Sequence, residues 1–338
     1  MKYFIRSGSL QSFSRLVKSL GGDSETLLTQ CNLTQDDLRQ HEHRIEFESM
    51  VKLLDLSATE LKTPDFALRL AKLQGIQALG PLGLLIQNSA TVRDALLAAQ
   101  RYMAIHSQGE YWRLDEEDEL AYIERYEAFH GLSYARQYKE LSFGVCLRLA
   151  KSLMGEDIEP RCLEFAHAPI SDPQIYRNHF NCQVLFNQEH DRLVVPKALL
   201  DRPIPEASEA EYAQVEQYLQ AMIQPFEGDL ERQVQTLILQ TLGLKEHSIE
   251  NIGAMLGLHK RTLQRRLKDQ SLNFKEILND VRVRTACWQL ESSNMDMTLL
   301  SEMLGYSDVS AFSRAFKTRM GISPLKWRKT QKNKSQMH

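Results

Sequence analysis

The stretch His259–Gln270, HKRTLQRRLKDQ, places five Lys and Arg among twelve residues of a chain whose formal net charge is −3. At the ~100° per residue of an α-helix, Leu263 and Leu267 share one face, while Arg261, Gln264, Arg265 and Lys268 fall on the other. These four polar side chains suit nucleic acid. Arg pairs bidentately with guanine O6 and N7, Gln with adenine N6 and N7, and Lys neutralises phosphate oxygens. A basic helix face by itself is as readily a solvated surface, so its flanks decide what it does.

On the N-terminal side, Ser248 caps IENIGAMLG, in which Gly253 and Gly257 allow close helix approach and then a tight turn into the basic stretch. Further on, LSEMLGYSDVSAFSRAFK echoes IGAMLGLHKRTLQRRLK. In each copy a small residue (Gly253, Ser301) precedes a turn glycine (Gly257, Gly305) by four positions. An i, i+4 apolar pair then follows (Leu263/Leu267, Phe312/Phe316), with one extra residue ahead of the second pair. Helix, short glycine turn, helix is a helix-turn-helix pattern, and it occurs twice. Asn273–Ser292 joins the copies. Asn273 and Glu276 form a capping pattern, and Phe274, Ile277, Leu278, Val281 and Trp288 an apolar stripe. A helix there of about 27 Å approaches the ~34 Å between successive major grooves. Ahead of both copies, DLERQVQTLILQTLG is predicted as an amphipathic helix closed by Gly243.

Charge and pattern divide the 338 residues. Asp229–His338 holds 18 Lys and Arg against 11 Asp and Glu, a net +7, and the remainder is net −10. Such asymmetry suggests a polyanion-binding module joined to something else. Residues 1–200 mix both element types. MVKLLDLSATEL, DFALRLAKLQ, TVRDALLAAQRYMAIH and YARQYKELSFGVCLRLAKSLMG have helical spacing. YWRLDEEDELAYIERYEAF is predicted as a hairpin turning at Asp115–Glu119, and PRCLEFAH, CQVLFN and DRLVVP as short strands around a helix at DPQIYRNHF. The expected architecture is an α+β domain over 1–200, a linker and helix over 201–228, an all-α double helix-turn-helix domain over 229–331, and a tail over 332–338. In the linker helix, Tyr212, Val215, Leu219, Met222 and Phe226 make a two-heptad seam. That seam either packs on its own chain or joins a homodimer.

AFSRAFKTRMGISPLKWR, Ala311 to Arg328, closely resembles the signature of AraC/XylS-type transcription regulators. The resemblance covers roughly the last hundred residues, through the spacing from the second glycine turn to G-x-S-P-x-x-W-R. It implies two helix-turn-helix units joined by a long helix, double-stranded DNA as partner, and RNA polymerase as a further one. Carried over by position, the first reading helix would use Arg261, Gln264 and Arg265, and the second Val309, Ser310, Ser313, Arg314 and Lys317. Val309 offers no hydrogen bond and could only pack, as on a thymine methyl. RIEFESMVKLLDLSATEL, PDFALRLAK and GPLGLLIQNSATVRDALLAAQRYM are similar to the effector domain of the ornithine-utilisation and virulence-regulator branch of that family. This implies a ligand-responsive domain, and one unlike the jelly roll of the arabinose regulator.

Aromatics mark a candidate effector site. Tyr102, Tyr111, Trp112 and Tyr126 lie close in sequence with Arg125 among them, so an aromatic cavity with one Arg could hold a small carboxylate. The alternative is an ordinary aromatic core with surface arginines. His41 and His43, and His167, His179 and His190 near Cys162 and Cys182, match no metal-site spacing, so no metal or cofactor is expected. The five scattered cysteines suggest reduced thiols. The N-terminus has no apolar signal segment and no run reaches a membrane span, so a cytoplasmic protein is expected. No GxSxG, P-loop or GxGxxG occurs. The reading is a sequence-specific transcription regulator sensing a small molecule. Its rivals are a ligand-independent regulator governed by partner proteins or abundance, and an enzyme fused to a DNA-binding domain.

Overall fold

The computed structural model describes residues 3–127, 135–155, 158–223, 230–242, 247–256, 258–292 and 295–335. The chain forms two compact units, one of Met1–Tyr126 with Ser133–Leu219, the other containing Gln220–His338.

In the first unit β1 (Phe4–Arg6) pairs antiparallel with β2 (Arg44–Glu46) across three short helices, α1 (Phe13–Ser19), α2 (Ser24–Gln30) and α3 (Gln35–Arg39). Helices α4 (Phe47–Glu60), α5 (Phe66–Ala71), α6 (Pro81–Gln87) and α7 (Val92–His106) follow. Thr91 and Asp94 start α7 with a reciprocal capping box, which satisfies two otherwise orphaned backbone donors. Strands β3 (Glu110–Glu117) and β4 (Leu120–Glu127) lead to α8 (Arg136–Met154), which ends at Gly155 with φ +99°. The remaining elements are β5 (Cys162–Glu164), α9 (Pro173–Phe180), β6 (Gln183–Leu185), β7 (Arg192–Pro196) and α10 (Glu209–Ile223).

The main sheet runs β3-β4-β7-β5-β6, antiparallel at β4–β7 and β7–β5 and parallel at β5–β6. Alternation along its strands sends Ala121, Ile123, Leu193 and Val195 to one face, where Phe143 and Leu147 of α8 and Tyr176 and Phe180 of α9 complete the core. The unit is therefore α+β with helices on that face of the sheet.

Two local expectations shift. The hairpin turns at Asp118–Glu119, with Asp118 at φ +51°, and not across Asp115–Glu119. Asp115 and Glu116 stay in the strand because cations answer them: Arg113 lies 2.5 Å from Asp115, and Arg93 and Lys197 pair with Glu116. The helix expected as part of a separate linker belongs to the first unit as far as Leu219. Glu216 accepts from Tyr102 Oη at 3.0 Å and pairs with Arg101 at 3.4 Å. Leu219 is buried and Tyr212, Val215 and Met222 are half-buried, so the chain itself covers much of the seam expected for a second copy. Phe226 lies outside the described residues.

From Gln220 on, every regular element among the described residues is a helix. The second unit comprises α11 (Leu230–Thr241), α12 (Ile249–Met255), α13 (Lys260–Asp269), α14 (Phe274–Ser292), α15 (Met297–Met303), α16 (Val309–Met320) and α17 (Pro324–Ser335). Its centre is α14, against which α11, α16 and α17 pack. Ile277 and Val281 of the expected stripe are buried, but so are Val283, Thr285, Ala286, Cys287, Gln289 and Leu290. A helix buried nearly all round is a core helix, not one with a single apolar face. Gly243, Gly257 and the Trp288 side chain lie outside the described residues. No described helix is long and apolar enough to cross a membrane.

One buried carboxyl tests the packing of α8 on α9. Glu140 is fully buried, accepts from Tyr176 Oη at 2.6 Å, and leaves Oε2 without a partner. Burial pushes its pKa up to about 8, with Asp65 and Asp55 adding to the rise. A raised folded-state pKa contributes stability that is complete below the unfolded value near 4.5 and is lost as pH rises through about 8. Glu140→Gln, neutral at every pH, should lose less stability than the native chain between pH 5 and 8 in urea unfolding. Equal pH slopes for the two proteins would show that Glu140 is ionised in the native state.

Candidate functional site

Each helix-turn-helix is built by short-range rules. In the first, the Leu258 N–H donates to Gly253 O at 2.8 Å, and a Cβ at Gly253 would come within 2.8 Å of Leu258 O. Glycine there lets the turn fold onto α12. His259 then caps α13 by accepting from Arg261 N at 3.3 Å. In the second, the Tyr306 N–H donates to Ser301 O at 2.9 Å, the same bond one repeat later. Asp308 caps α16, accepting from Ala311 N at 2.7 Å. The cap follows the turn directly in the first copy and one residue later in the second, so Ser307 is the extra residue. Gly305 adopts φ +72°, and a Cβ there would strike His247.

The helix faces fall as expected. Leu263 and Leu267 of α13 are buried, and Arg261, Gln264, Arg265 and Lys268 are exposed. Among the described residues, none of these four side chains makes an ion pair, whereas neighbouring Lys260 pairs with Glu250. On α16, Phe312 and Phe316 are buried, Ser310, Arg314 and Lys317 are exposed, and Val309 and Ser313 are half-buried. Each helix therefore offers a polar face while its apolar pair holds it to the unit. The bidentate donors Arg261, Arg265 and Arg314 sit on those faces, as groove recognition requires.

Residues that the sequence pattern did not single out hold the second turn in place. Arg282 of α14 donates through Nη2 to Gly305 O at 2.7 Å, lies 2.8 Å from His247 Nε2, and stacks 4.6 Å from the Tyr306 ring centre. The signature stretch also has a physical account. Gly321 ends α16 in the left-handed conformation, Ser323 Oγ accepts from Lys326 N, and Pro324 opens α17. Trp327 packs on Phe316 at 6.0 Å and donates to Glu291 of α14 at 3.2 Å, and Arg328 donates to Met295 O at 2.6 Å. These residues brace α16 and do not themselves form its polar face.

The first unit contains a cavity of about 160 Å³. It lies between a face of α7 (Val92, Leu96, Ala99, Met103) and a face of α8 (Leu141, Val145, Leu149, Leu153), with Trp112, Leu114 and Ile123 of the sheet completing its wall. Of the five residues expected to bind an effector, Trp112 lines it and the other four do not. Strand alternation puts Tyr111 and Tyr126 on the opposite face of the sheet, stacked at 4.8 Å, where Arg113 and Glu124 join them. Tyr102 turns toward Glu216. Arg125 is buried and needs a counter-charge, which Glu110 supplies at 2.7 Å, so its guanidinium is already matched. The cavity residues overlooked from sequence are the α7 and α8 faces and His106. Their signal was present in the repeated small residues Ala95 and Ala99 along one stripe of α7.

His167 and His179 are packed against aromatic rings. Among the described residues no group of three or more His, Cys, Asp and Glu is placed to hold a metal ion.

Arg282→Ala removes two charge-assisted bonds and a cation–π contact from the second turn. It should cost about 1.5–3 kcal/mol in urea unfolding of the helical unit. An unchanged transition would show that Gly305 and its neighbours hold the turn without Arg282.

Comparison with known proteins bears on both units. Residues 21–204 match the family model described as the arabinose-binding domain of AraC transcription regulator, N-terminal, and residues 252–330 match a helix-turn-helix domain. The chain is similar to the HTH-type transcriptional regulator VirS of Mycobacterium tuberculosis, 29% identical over 326 residues, 96% of each protein. It is also similar to the ornithine utilization regulator of Pseudomonas aeruginosa, 25% identical over 316 residues, 93% of each. Among solved structures, the transcriptional regulator CdpR from Pseudomonas aeruginosa is similar with a TM-score of 0.46 and 20% identity, covering 92% of this chain and 97% of that one. The first family match spans more than half of the chain, the second covers the paired helix-turn-helix units, and the chain belongs to the AraC family of DNA-binding transcription regulators.

Proposed function

We propose that this regulator reads one continuous DNA site with α13 and α16 in successive major grooves, and that a small-molecule effector bound in the α7–α8 cavity controls it. The observation that carries the first part is the polar face of α13, whose Arg261, Gln264, Arg265 and Lys268 are exposed and free of ion pairs among the described residues. Arg261, Gln264 and Arg265 read base edges and Lys268 contacts phosphate. On α16, Ser310, Ser313, Arg314 and Lys317 supply polar contacts, and Val309 packs on a thymine methyl. RNA polymerase is the further protein partner, and the site of action is the cytoplasm. Homodimerisation through Tyr212, Val215, Leu219 and Met222 finds little support, since the chain covers much of that face. The effector reading is supported by a preformed apolar cavity at some remove in sequence from the helices that meet DNA.

The test uses the full chain and a duplex it selects from a random pool. Arg265→Ala should weaken the selected site by about 1–3 kcal/mol and relax preference at one base pair, with random DNA nearly unaffected. Equal losses on both would make Arg265 a phosphate contact. Log K should fall by about 0.9 against log salt for each phosphate neutralised.

The separation of α13 and α16 is set by α14, so one monomer should protect two successive grooves about 10 bp apart. Inserting 5 bp between the half-contacts should abolish tight binding. Unchanged affinity after that insertion would mean that α13 alone reads the site.

A further inference from the structure

We infer that the cavity takes a small uncharged ligand, a hydrocarbon body carrying one hydroxyl or carbonyl group, and that His106 meets the oxygen; this rests on the effector-sensing reading above. Its walls are apolar over nearly their whole extent, with the Trp112 and Tyr138 rings among them, and many of the polar groups of its lining residues are answered by the protein. Glu110 is held by Arg125 and by Tyr138 Oη, each at 2.7 Å. Gln74 donates to Ser9 O at 2.7 Å, Gln100 accepts from Leu114 N at 3.3 Å, and Ser142 donates to Tyr138 O at 2.9 Å. Arg113 leaves Nε without a partner, but its side chain lies on the far face of the sheet with Glu124 and Tyr126.

His106 remains. Its ring is buried, Nε2 lies 3.2 Å from Ser9 Oγ, and Nδ1 has no partner. A buried polar atom without a hydrogen bond is costly, and a ligand oxygen brought to Nδ1 by a small turn of the ring would relieve that cost. Burial, with Arg6 nearby, pulls the His106 pKa down to about 3, so the ring is neutral at physiological pH. Ser9 can donate to Nε2 or accept from it, which leaves Nδ1 as donor or acceptor accordingly. A hydroxyl satisfies either tautomer, and a carbonyl satisfies the donor form.

A carboxylate fits poorly. It would enter an apolar space facing a neutral imidazole, with the guanidinium of Arg125 already paired to Glu110. Size sets the rest. An apolar cavity of about 150 Å³ accepts benzene, so this one, at about 160 Å³, suits a ligand of roughly six to ten non-hydrogen atoms.

The experiment uses the full-length protein with benzyl alcohol and 1-hexanol, against benzoate and hexanoate at equal concentrations, and toluene as the bare hydrocarbon. Thermal shift and titration calorimetry read binding, and affinity for the selected duplex is followed in the same samples. The alcohols should bind saturably at least tenfold more tightly than the matching acids. His106→Phe should cut benzyl alcohol affinity tenfold or more while leaving toluene within about threefold. Ala99→Phe, which fills the space without touching His106, should abolish both and keeps the question open to test should His106→Phe fail to fold. Acids binding as well as alcohols, no binding by any neutral probe, or binding that survives Ala99→Phe would each overturn the inference. If benzoate alone alters duplex affinity, the ligand class is wrong and effector control stands. If the alcohols bind but leave duplex affinity unchanged, effector control fails and the cavity assignment stands.

Discussion

The helical unit depends on the burial of α14. With α11, α16 and α17 packed against it, the second helix-turn-helix joins its core through α16, and the first through α11, against which α12 and α13 pack. A single helix-turn-helix of about twenty residues buries too little apolar surface to hold itself together. One directly and the other through α11, the two copies are tied to a common 19-residue helix. Polar bonds then set their orientation. Arg282 clamps the second turn, Trp327 and Arg328 tie α17 to α14 and to the chain just beyond it, and Arg319 pairs with Asp280. Because each apolar pair is committed to the core, the opposite sides of α13 and α16 are left to solvent.

The first unit meets a different demand, that of placing many charged and aromatic side chains around one sheet. It does so by pairing. Glu110 with Arg125 is buried, and Lys139 with Asp191 is largely so, while Arg113 sits between Asp115 and Glu124. Removing one member of a buried pair leaves an uncompensated charge, which costs more than the pair contributes. Such networks favour one arrangement of the strands. With many of the polar residues occupied by each other, the space between α7 and α8 is left largely apolar.

The family signature takes on a more specific meaning in this light. Gly321, Ser323, Pro324, Trp327 and Arg328 end one helix, start the next and bind it to α14. The residues on the polar faces of α13 and α16 are free of that structural task.

What the residues alone determined was mostly local. The repeated turn and the split of α13 into apolar and basic faces follow from helical period, so spacing sufficed to find them, whereas the caps at His259 and Asp308, equally local, came only with the structure. The α+β character of the first unit was equally legible, because strands of period two and helices of period 3.6 leave different patterns. What tertiary structure decided was partnership. Tyr111 and Trp112 are neighbours in sequence, yet strand alternation sends them to opposite faces of the sheet and only Trp112 reaches the cavity. Arg125 looks available for a ligand until Glu110, fifteen residues away, takes its charge, and Tyr102 until Glu216, more than a hundred residues away, accepts its hydroxyl. The cavity is the space left between two helices that the β3–β4 hairpin separates in the chain, and a void belongs to the packing of both, so no stretch of either sequence specifies it by itself.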